Sequence, residues 1–196
     1  VAEALRRILG TTPEETILAL ETMAGQGGSI GREFDELGTL LSAVDSPRLR
    51  VCLDTCHTLA AGYELRTVEG VAETMRTFDA AIGVQHLAVV HANDSKTPLG
   101  SLRDRHENIG DGHLGTDGFR ALCAHPAFAG KAFLLEVPGL PSEAHPKGDG
   151  PDAENVRRLQ AIRDEAATAA SGAATTPRAR ARTRDRKSTR LNSSHV

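Results

Sequence analysis

The stretch "LRVCLDTCH", residues 49–57, contains the pattern on which the fold assignment depends. A short apolar run, Leu49 to Leu53, ends in an acidic residue, Asp54. A run of this length and composition predicts a buried strand, and strands buried on both faces are typical of parallel sheets. In parallel α/β folds the carboxyl ends of the strands line the active site. Asp54 is therefore the first candidate for a functional residue.

Three further stretches repeat this pattern, and helix patterns separate them. The predicted strands are residues 16–21, 49–54, 86–91 and 132–137. The predicted helices are residues 2–9, 32–44, 68–82, 117–125 and 152–166. Strict alternation predicts a parallel sheet covered by helices, either doubly wound or closed as a (β/α)8 barrel. These units would fill about half of a barrel of ~250 residues, within a predicted domain of residues 1–170.

Each predicted strand carries an ionisable residue at or next to its carboxyl end. These residues are Glu21, Asp54, His91 and Glu136. Because the carboxyl ends of parallel strands meet at one face of the fold, we expect the four side chains to converge. Carboxylates and imidazoles that converge in this way predict a metal site.

The loops beside these strand ends add further candidate ligands. "DTCH" places His57 three residues after Asp54, and "DRH" places Asp104 and His106 on one side of an extended loop. Asp, Glu and His ligands suit Zn²⁺ or Mn²⁺. The seven candidates exceed the four ligands that one zinc usually takes, so a cluster of two or three ions is predicted. Adjacent ions of this kind activate water and stabilise charge during displacement at phosphorus.

The cysteines do not form a metal-binding or disulfide pattern. Cys52 is predicted to pack in the core, and Cys56 is predicted to be a small loop residue rather than a ligand. An odd number of cysteines, three in all, favours a reducing compartment, and the bacterial cytoplasm is the expected location. No apolar run approaches the roughly 20 residues that span a bilayer, so no membrane partner is expected.

The two ends of the chain differ from the rest. The sequence opens at Val1 inside a helix pattern, so the chain is expected to be a fragment whose upstream part is missing. Residues 1–175 carry 16 basic and 25 acidic residues, whereas residues 176–196 carry seven basic residues and one acid. Residues 171–196 are predicted to be a disordered basic tail. Within it, "DRKSTRLNSSH" (185–195) matches the translation of a common sequencing-adapter DNA and is predicted to be an assembly artefact.

Four longer motifs resemble the endonuclease IV family of apurinic/apyrimidinic endonucleases. They are "LETMAGQGGSIG" (20–31), "VCLDTCHTLAAGYELRT" (51–67), "HANDSKTPLGSLRDRHENIGDGHLG" (91–115) and "LLEVPG" (134–139). The similarity extends over about residues 1–165. It implies a TIM barrel, present here as roughly its C-terminal half, with a trinuclear zinc site. It also implies a DNA repair enzyme, monomeric when complete, that cuts double-stranded DNA 5′ to an abasic site and leaves a 3′-hydroxyl.

The resemblance implies a role for each candidate residue. The implied metal ligands are Glu21, Asp54, His57, His91, Asp104, His106 and Glu136. Glu21 would bridge two zinc ions and orient the attacking hydroxide, with Glu136 as the second catalytic residue. The second zinc would be completed by Asp54, His91 and Glu136, and the third would be held by His57, Asp104 and His106. Mn²⁺ is the alternative ion at some of these sites.

The resemblance also implies roles in DNA binding for two residues, and the sequence differs from the family pattern in two respects. Arg105 would face a phosphate, and Gln26 would line the DNA-facing mouth. Thr22 and Met23 follow Glu21 where the family usually has Asn-Thr, so hydrogen bonding around the ligands is expected to differ. The family's first zinc needs two histidines from earlier strands that this sequence lacks. The gene is therefore expected to encode a nuclease, and this chain alone is expected to be inactive.

Two other interpretations remain open. The first is a metal-dependent sugar isomerase or epimerase of the xylose isomerase-like type, which shares the barrel and the strand-end carboxylates. The second is a non-catalytic, truncated remnant with exposed sheet edges. The number of ligands separates the two enzyme classes, because His57, Asp104 and His106 form a third site that an isomerase does not need.

Overall fold

Six α-helices, three short 3-10 helices and six strands make up the described part of the protein. The computed structural model describes residues 1–174, with side chains up to residue 169, and residues 175–196 lie outside the described part. The helices are Ala2–Thr11 (α1), Phe34–Val44 (α2), Thr55–Ala61 (α3), Val68–Ala81 (α4), Gly115–Ala124 (α5) and Ala153–Ala174 (α6). The strands are Leu18–Glu21 (β1), Leu49–Asp54 (β2), Leu87–His91 (β3), Asp94–Ser95 (β4), His106–Glu107 (β5) and Ala132–Leu134 (β6).

The four longer strands form a parallel sheet in the order β1-β2-β3-β6. Each of these strands pairs with the next one along the chain, and helices lie in the connections. A doubly wound sheet reverses its strand order at a switch point, and the described sheet has no reversal. In a barrel each new strand is added on the same side. The described sheet therefore corresponds to four consecutive strands of a barrel.

The predicted strand ends agree with the structure in three strands and differ in the fourth. β1, β2 and β3 end at the predicted residues, Glu21, Asp54 and His91. β6 ends at Leu134, so Glu136 lies two residues beyond the last residue of its strand. The position of Glu136 must therefore be fixed by contacts other than the backbone ladder.

Helix α3 stands where a loop was predicted, so the assignment of Cys56 to a loop is wrong. Asp54 begins the helix, because its Oδ1 accepts a hydrogen bond from the backbone N–H of His57 at 2.7 Å. Gly62 ends the helix with a φ of 112°, a left-handed conformation that favours glycine. All seven residues of α3 are buried, so Cys56 belongs to the core.

The small antiparallel pair of β4 and β5 was not predicted either. Asp94 pairs with Glu107, and Ser95 pairs with His106. Each strand has two residues, which is too short to produce an alternating hydrophobic pattern. The pair returns His106 to the neighbourhood of the carboxyl end of β3.

Helix α6 extends into the predicted tail. It runs to Ala174, whereas the tail was predicted to begin at residue 171. The remainder of the predicted tail, including residues 185–195, lies outside the described residues. Among residues 1–174, no helix has the length and apolar character needed to cross a membrane.

Helices α2 and α4 pack through an aromatic cluster. Phe34, in the first turn of α2, stacks on Tyr63 with ring centroids 4.0 Å apart. The same ring meets the edge of Phe78, in α4, at 5.3 Å. A capping box formed by Glu33 and Glu36 fixes the first turn of α2. This packing buries Phe34 and Phe78 between the two helices.

Gly38 lets α2 approach α4 closely, because a Cβ atom at this position would collide with the carbonyl oxygen of Ala81. Gly38→Ala is expected to lower the free energy of unfolding by about 1–3 kcal/mol, the usual range for overpacking. Gly10→Ala, in α1, is the matched control, because no atom lies within 4 Å of its Cβ position. That variant should gain about 0.5–1 kcal/mol from helix propensity. Urea unfolding measures both changes, and equal stabilities of the two variants would contradict the close packing.

Candidate metal centre

The structure brings the seven predicted ligands together at the carboxyl end of the sheet, in two adjacent clusters. The first, here called the carboxylate cluster, consists of Glu21, Asp54, His91 and Glu136. The second, here called the histidine cluster, consists of His57, Asp104 and His106. Within each cluster one donor atom per residue lies within 4.8 Å of every other. Strand ends supply most of the first cluster, whereas α3 and the segment leading into β5 supply the second.

The histidine cluster has three donor atoms at the corners of a small triangle. The Nε2 atoms of His57 and His106 are 3.4 Å apart. The Asp104 carboxylate faces both atoms, with Oδ2 3.2 Å from His57 Nε2 and Oδ1 3.3 Å from His106 Nε2. Two ligand atoms of a tetrahedral zinc, each about 2.0–2.1 Å from the metal, are roughly 3.3 Å apart. The triangle therefore has the dimensions of one face of a zinc coordination sphere.

The tautomers of these two histidines also favour a cation. His57 Nδ1 lies 2.9 Å from the carbonyl oxygen of Thr22, and His106 Nδ1 lies 3.2 Å from the carbonyl oxygen of Glu136. Since a carbonyl oxygen only accepts, each Nδ1 must carry the proton and donate it. In the neutral rings both Nε2 atoms then present lone pairs to each other and to the Asp104 carboxylate. This arrangement becomes favourable when one Nε2 binds a proton or when a metal ion lies between the three groups.

The carboxylate cluster surrounds one imidazole with acids. His91 Nδ1 lies 3.0 Å from Glu21 Oε1 and 3.0 Å from Glu136 Oε2. Asp54 is fully buried beside them. Glu21 also lies next to the second cluster, because its Oε1 is 3.4 Å from His57 Nδ1. Glu21 therefore lies beside both clusters, as does Asp54, whose Oδ2 is 3.7 Å from His106 Nε2.

The pKa values of the central groups reflect this concentration of charge. Burial lowers the pKa of His57, but the hydrogen bond to Glu21 and the charges of Asp54 and Asp104 outweigh it and raise the pKa to about 9. Burial raises the pKa of Glu21, and the contacts with His57 and His91 bring it below its ordinary value. Burial raises the pKa of Asp54 in spite of its histidine neighbours. The carboxylates around His57 thus require a positive charge, supplied by a proton or by a metal ion.

Cys56 is close enough to Asp54 and His106 to form a third potential group of ligands. Burial raises the pKa of its thiol to about 12, and the same cause raises the pKa of Cys52 to about 12. A metal binds the thiolate rather than the thiol. Both cysteines therefore stay in the thiol form in the metal-free protein, and their exclusion as ligands stays a prediction.

Thr22 occupies a position where the family usually has Asn, and it still forms hydrogen bonds with the metal-ligand candidates. Its Oγ1 accepts a hydrogen bond from the backbone N–H of Asp54 at 2.9 Å. Its carbonyl oxygen accepts from His57 Nδ1, as described above. A hydroxyl and a backbone carbonyl thus orient one ligand from each cluster.

Asp94 organises the loop that follows His106, and the sequence reasoning missed it. The carboxylate is buried and accepts hydrogen bonds of 2.7–3.1 Å from backbone N–H groups. The donors are Ser95, Gly110, Gly112, Leu114 and Gly115. The sequence does contain a pattern that could have identified it. Asp94 comes just after a strand, and a glycine-rich loop with backbone N–H groups to satisfy follows it.

Gln26 and Arg105, the two residues predicted on the DNA side, both contact Asp104. Gln26 Oε1 accepts a hydrogen bond from the backbone N–H of Asp104 at 2.6 Å. Arg105 is exposed, and its guanidinium donates to the carbonyl oxygen of Asp104 at 2.6 Å. A contact of either residue with DNA stays a prediction.

A parallel barrel sheet with carboxylates and imidazoles at its strand ends defines the class of metal-binding TIM barrels. The chain belongs to the xylose isomerase-like TIM barrel family, whose model matches residues 1–165. The prediction of a TIM barrel is therefore confirmed, and the described residues supply part of it.

Relatives within this family carry the predicted name. A protein named "Probable endonuclease 4" from Chlorobium phaeobacteroides is 49% identical over 123 residues, which is 62% of this chain and 43% of that protein. The crystal structure of endonuclease IV from Thermus thermophilus has a TM-score of 0.67 and 30% identity, and the match covers 84% of this chain and 58% of that one. The predicted resemblance is confirmed. The chain spans about half the length of the curated relatives that it matches, from 41% to 52%.

A D-tagatose 3-epimerase-like protein is also a structural neighbour. It has a TM-score of 0.58 and 18% identity, and the match covers 88% of this chain and 54% of that one. At this identity the likeness extends to the fold alone. It does not favour the isomerase interpretation over the nuclease interpretation.

His57→Ala is expected to reduce the zinc bound per chain by one ion, because it removes an Nε2 donor from the histidine cluster. Cys56→Ala is the matched control on the same helix, and it should retain all the zinc, because Cys56 is predicted to be a core residue rather than a ligand. Elemental analysis after gel filtration in excess zinc measures the content of each variant. Loss of zinc from the Cys56→Ala protein, or none from the His57→Ala protein, would contradict these assignments.

Zinc binding at pH 7 is expected to release at least one proton. The raised pKa of His57, about 9, keeps the free imidazole protonated at this pH, and zinc binds only the neutral ring. Zinc affinity should therefore increase as the pH rises toward 9. Calorimetric titrations in two buffers that differ in ionisation enthalpy count the released protons. Identical heats in both buffers would show that His57 is not protonated in the free protein.

Proposed function

We propose that this chain forms part of a DNA repair endonuclease that hydrolyses the phosphodiester 5′ to an abasic site with a cluster of zinc ions. The observation that carries the proposal is the pair of adjacent donor clusters with Glu21 beside both. The names of the curated relatives support the nuclease class. The substrate is double-stranded DNA that contains an abasic site.

The donor set fits zinc. His57, Asp104 and His106 would hold one ion, and Asp54, His91 and Glu136 would hold another, with Glu21 between the two. When bound, divalent ions stabilise negative charge on phosphoryl oxygens and make water a stronger nucleophile at neutral pH. Mn²⁺ accepts the same oxygen and imidazole donors and is the alternative ion.

The side chains of the two glutamates orient the reacting groups. The pKa of Glu21 is below its ordinary value, so its carboxylate accepts a hydrogen bond from the attacking water and directs that water toward phosphorus. The Glu136 side chain is 47% exposed at the mouth of the site, where a bound substrate would come within its reach. Arg105 is exposed on the same rim, and its remaining N–H groups are free to donate to a phosphate.

The histidine cluster favours a nuclease over a sugar isomerase. Isomerases of this fold use one or two divalent ions at the strand ends, and the carboxylate cluster alone would serve that chemistry. Displacement at phosphorus gains from several adjacent ions, because attacking and leaving oxygens both need stabilisation. The histidine cluster would hold the further ion that supplies this additional positive charge.

Activity is proposed for a complete barrel, and this chain alone is expected to be inactive. The described residues hold four barrel strands, and a TIM barrel has eight. The test therefore uses a chimaera, in which the unmatched N-terminal part of the Chlorobium relative precedes Val1. The chain alone is assayed beside the chimaera.

The zinc-loaded chimaera is expected to cut a duplex containing a tetrahydrofuran abasic analogue on its 5′ side, leaving a 3′-hydroxyl. Glu136→Gln should lower kcat on the order of 10²–10⁴-fold, because a positioned carboxylate is lost. Glu143→Gln, an exposed site in the loop beyond β6, is the matched control and should retain full activity. Gel analysis of labelled duplex measures the incision.

Three results would count against this proposal. If a folded, zinc-loaded chimaera does not cut the DNA, the proposed nuclease activity is wrong. Epimerisation of a ketose by the same chimaera would favour the isomerase. Efficient incision by the chain alone would show that the other four strands are not required.

A further inference from the structure

Asn93 is a fully buried residue whose side chain contacts two members of the carboxylate cluster. Its Nδ2 donates to Asp54 Oδ2 at 2.6 Å and to Glu136 Oε2 at 3.2 Å. Its Oδ1 accepts from the backbone N–H of Glu136 at 2.8 Å. The orientation of the amide is fixed by these partners, because carboxylates only accept and a backbone N–H only donates.

The Asn93 side chain continues the sheet where backbone pairing stops. The last backbone hydrogen bond between the segments of β3 and β6 runs from Ala92 N–H to Leu134 O, at 2.6 Å. At the next step the Asn93 side chain, not its backbone, bonds the backbone of Glu136. The backbone of Asn93 is turned instead toward Thr55, whose Oγ1 both accepts from its N–H and donates to its carbonyl. Glu136, beyond the end of β6, thus depends on Asn93 for its place.

An amide suits this position better than its alternatives. A carboxylate at residue 93 would keep the acceptor for the Glu136 N–H but would face two other carboxylates without a donor. An apolar side chain of the same shape would leave Asp54 Oδ2, which is buried, without its 2.6 Å partner. Loss of a partner to a buried carboxylate leaves an uncompensated charge. Only a neutral group with both a donor and an acceptor satisfies all three contacts.

We propose that Asn93 is a positioning residue for the metal centre, which clamps Asp54 and Glu136 together and sets the geometry of the carboxylate cluster. The proposal rests on the proposed function in one respect, that the carboxylate cluster holds a metal ion. Asn93 touches neither substrate nor metal in this role. It acts through the two carboxylates, and its contribution is to metal affinity and coordination geometry. Hydrogen-bonding partners of metal ligands commonly contribute 10–100-fold to affinity.

The test isolates the carboxylate cluster with His106→Ala, which removes a ligand of the histidine cluster in the full 196-residue chain. In this background Asn93→Leu keeps the shape of the side chain and removes its hydrogen bonds. Thr74→Val is the matched control, because Thr74 is buried and donates to the Glu64 carbonyl in the loop before α4, away from both clusters. Asn93→Ala replaces Asn93→Leu if the latter does not fold, as judged by circular dichroism.

Titration with Co²⁺ alone, followed by visible absorption, reads both affinity and coordination geometry. The Asn93→Leu protein is expected to bind Co²⁺ 10–100-fold more weakly than the background, with shifted absorption bands. The Thr74→Val protein should lose stability but keep the affinity and the bands. A folded Asn93 variant with unchanged affinity and bands would overturn the proposal, and so would equal changes in the Thr74→Val protein.

This experiment separates the inference from the proposed function, since it uses no DNA. A chimaera that binds metal normally but does not cut DNA would end the proposed function and leave the role of Asn93 intact. If the chimaera cuts DNA but the Asn93 variants bind Co²⁺ normally, the role proposed for Asn93 is wrong and the proposed function stands.

Discussion

Burial of the Asp54 carboxylate is the constraint on which the rest of the site depends. The side chain is 0% exposed, and an isolated charge in such a place is strongly unfavourable. The structure compensates it with the N–H of His57 at one oxygen and the amide of Asn93 at the other. The first contact starts α3 and thereby places His57 in the second cluster. The second contact reaches across to Glu136. One buried charge therefore connects the strand, the helix and both clusters.

Much of this site is readable from the sequence because a local pattern marks it. An acid or histidine directly after a short apolar run identifies Glu21, Asp54 and His91, and no knowledge of tertiary contacts is needed for those positions. The order of strands and helices predicts a parallel α/β fold in the same way. The alternation alone does not distinguish a doubly wound sheet from a barrel. The resemblance of the long motifs to a known family then selects the TIM barrel.

The missed features share a physical cause, which is that side-chain contacts rather than periodicity determine them. Helix α3 has seven residues, and the residue that caps it is itself a predicted ligand, so the stretch reads as a loop. The β4–β5 pair has two residues on each side, and the buried Asp94 carboxylate orders the loop that follows it. β6 stops short of Glu136, since the Asn93 side chain takes over from the backbone there. The cap of α3 is a local contact, whereas the Asn93 contact with Glu136 joins residues 43 positions apart in sequence.

The contact between Gln26 and Asp104 is another long-range contact that shapes the site. It joins two loops that are 78 residues apart in sequence, through a hydrogen bond from the Asp104 N–H to Gln26 Oε1. Gly25 makes the contact accessible, because its φ of 92° is left-handed and favours glycine. The loop that carries Gln26 begins only a few residues after Glu21. A displacement of this loop would therefore move Asp104 in the histidine cluster together with the chain next to Glu21 in the carboxylate cluster. The glycine-rich loop thus connects the two clusters physically, in addition to the connection through Asp54.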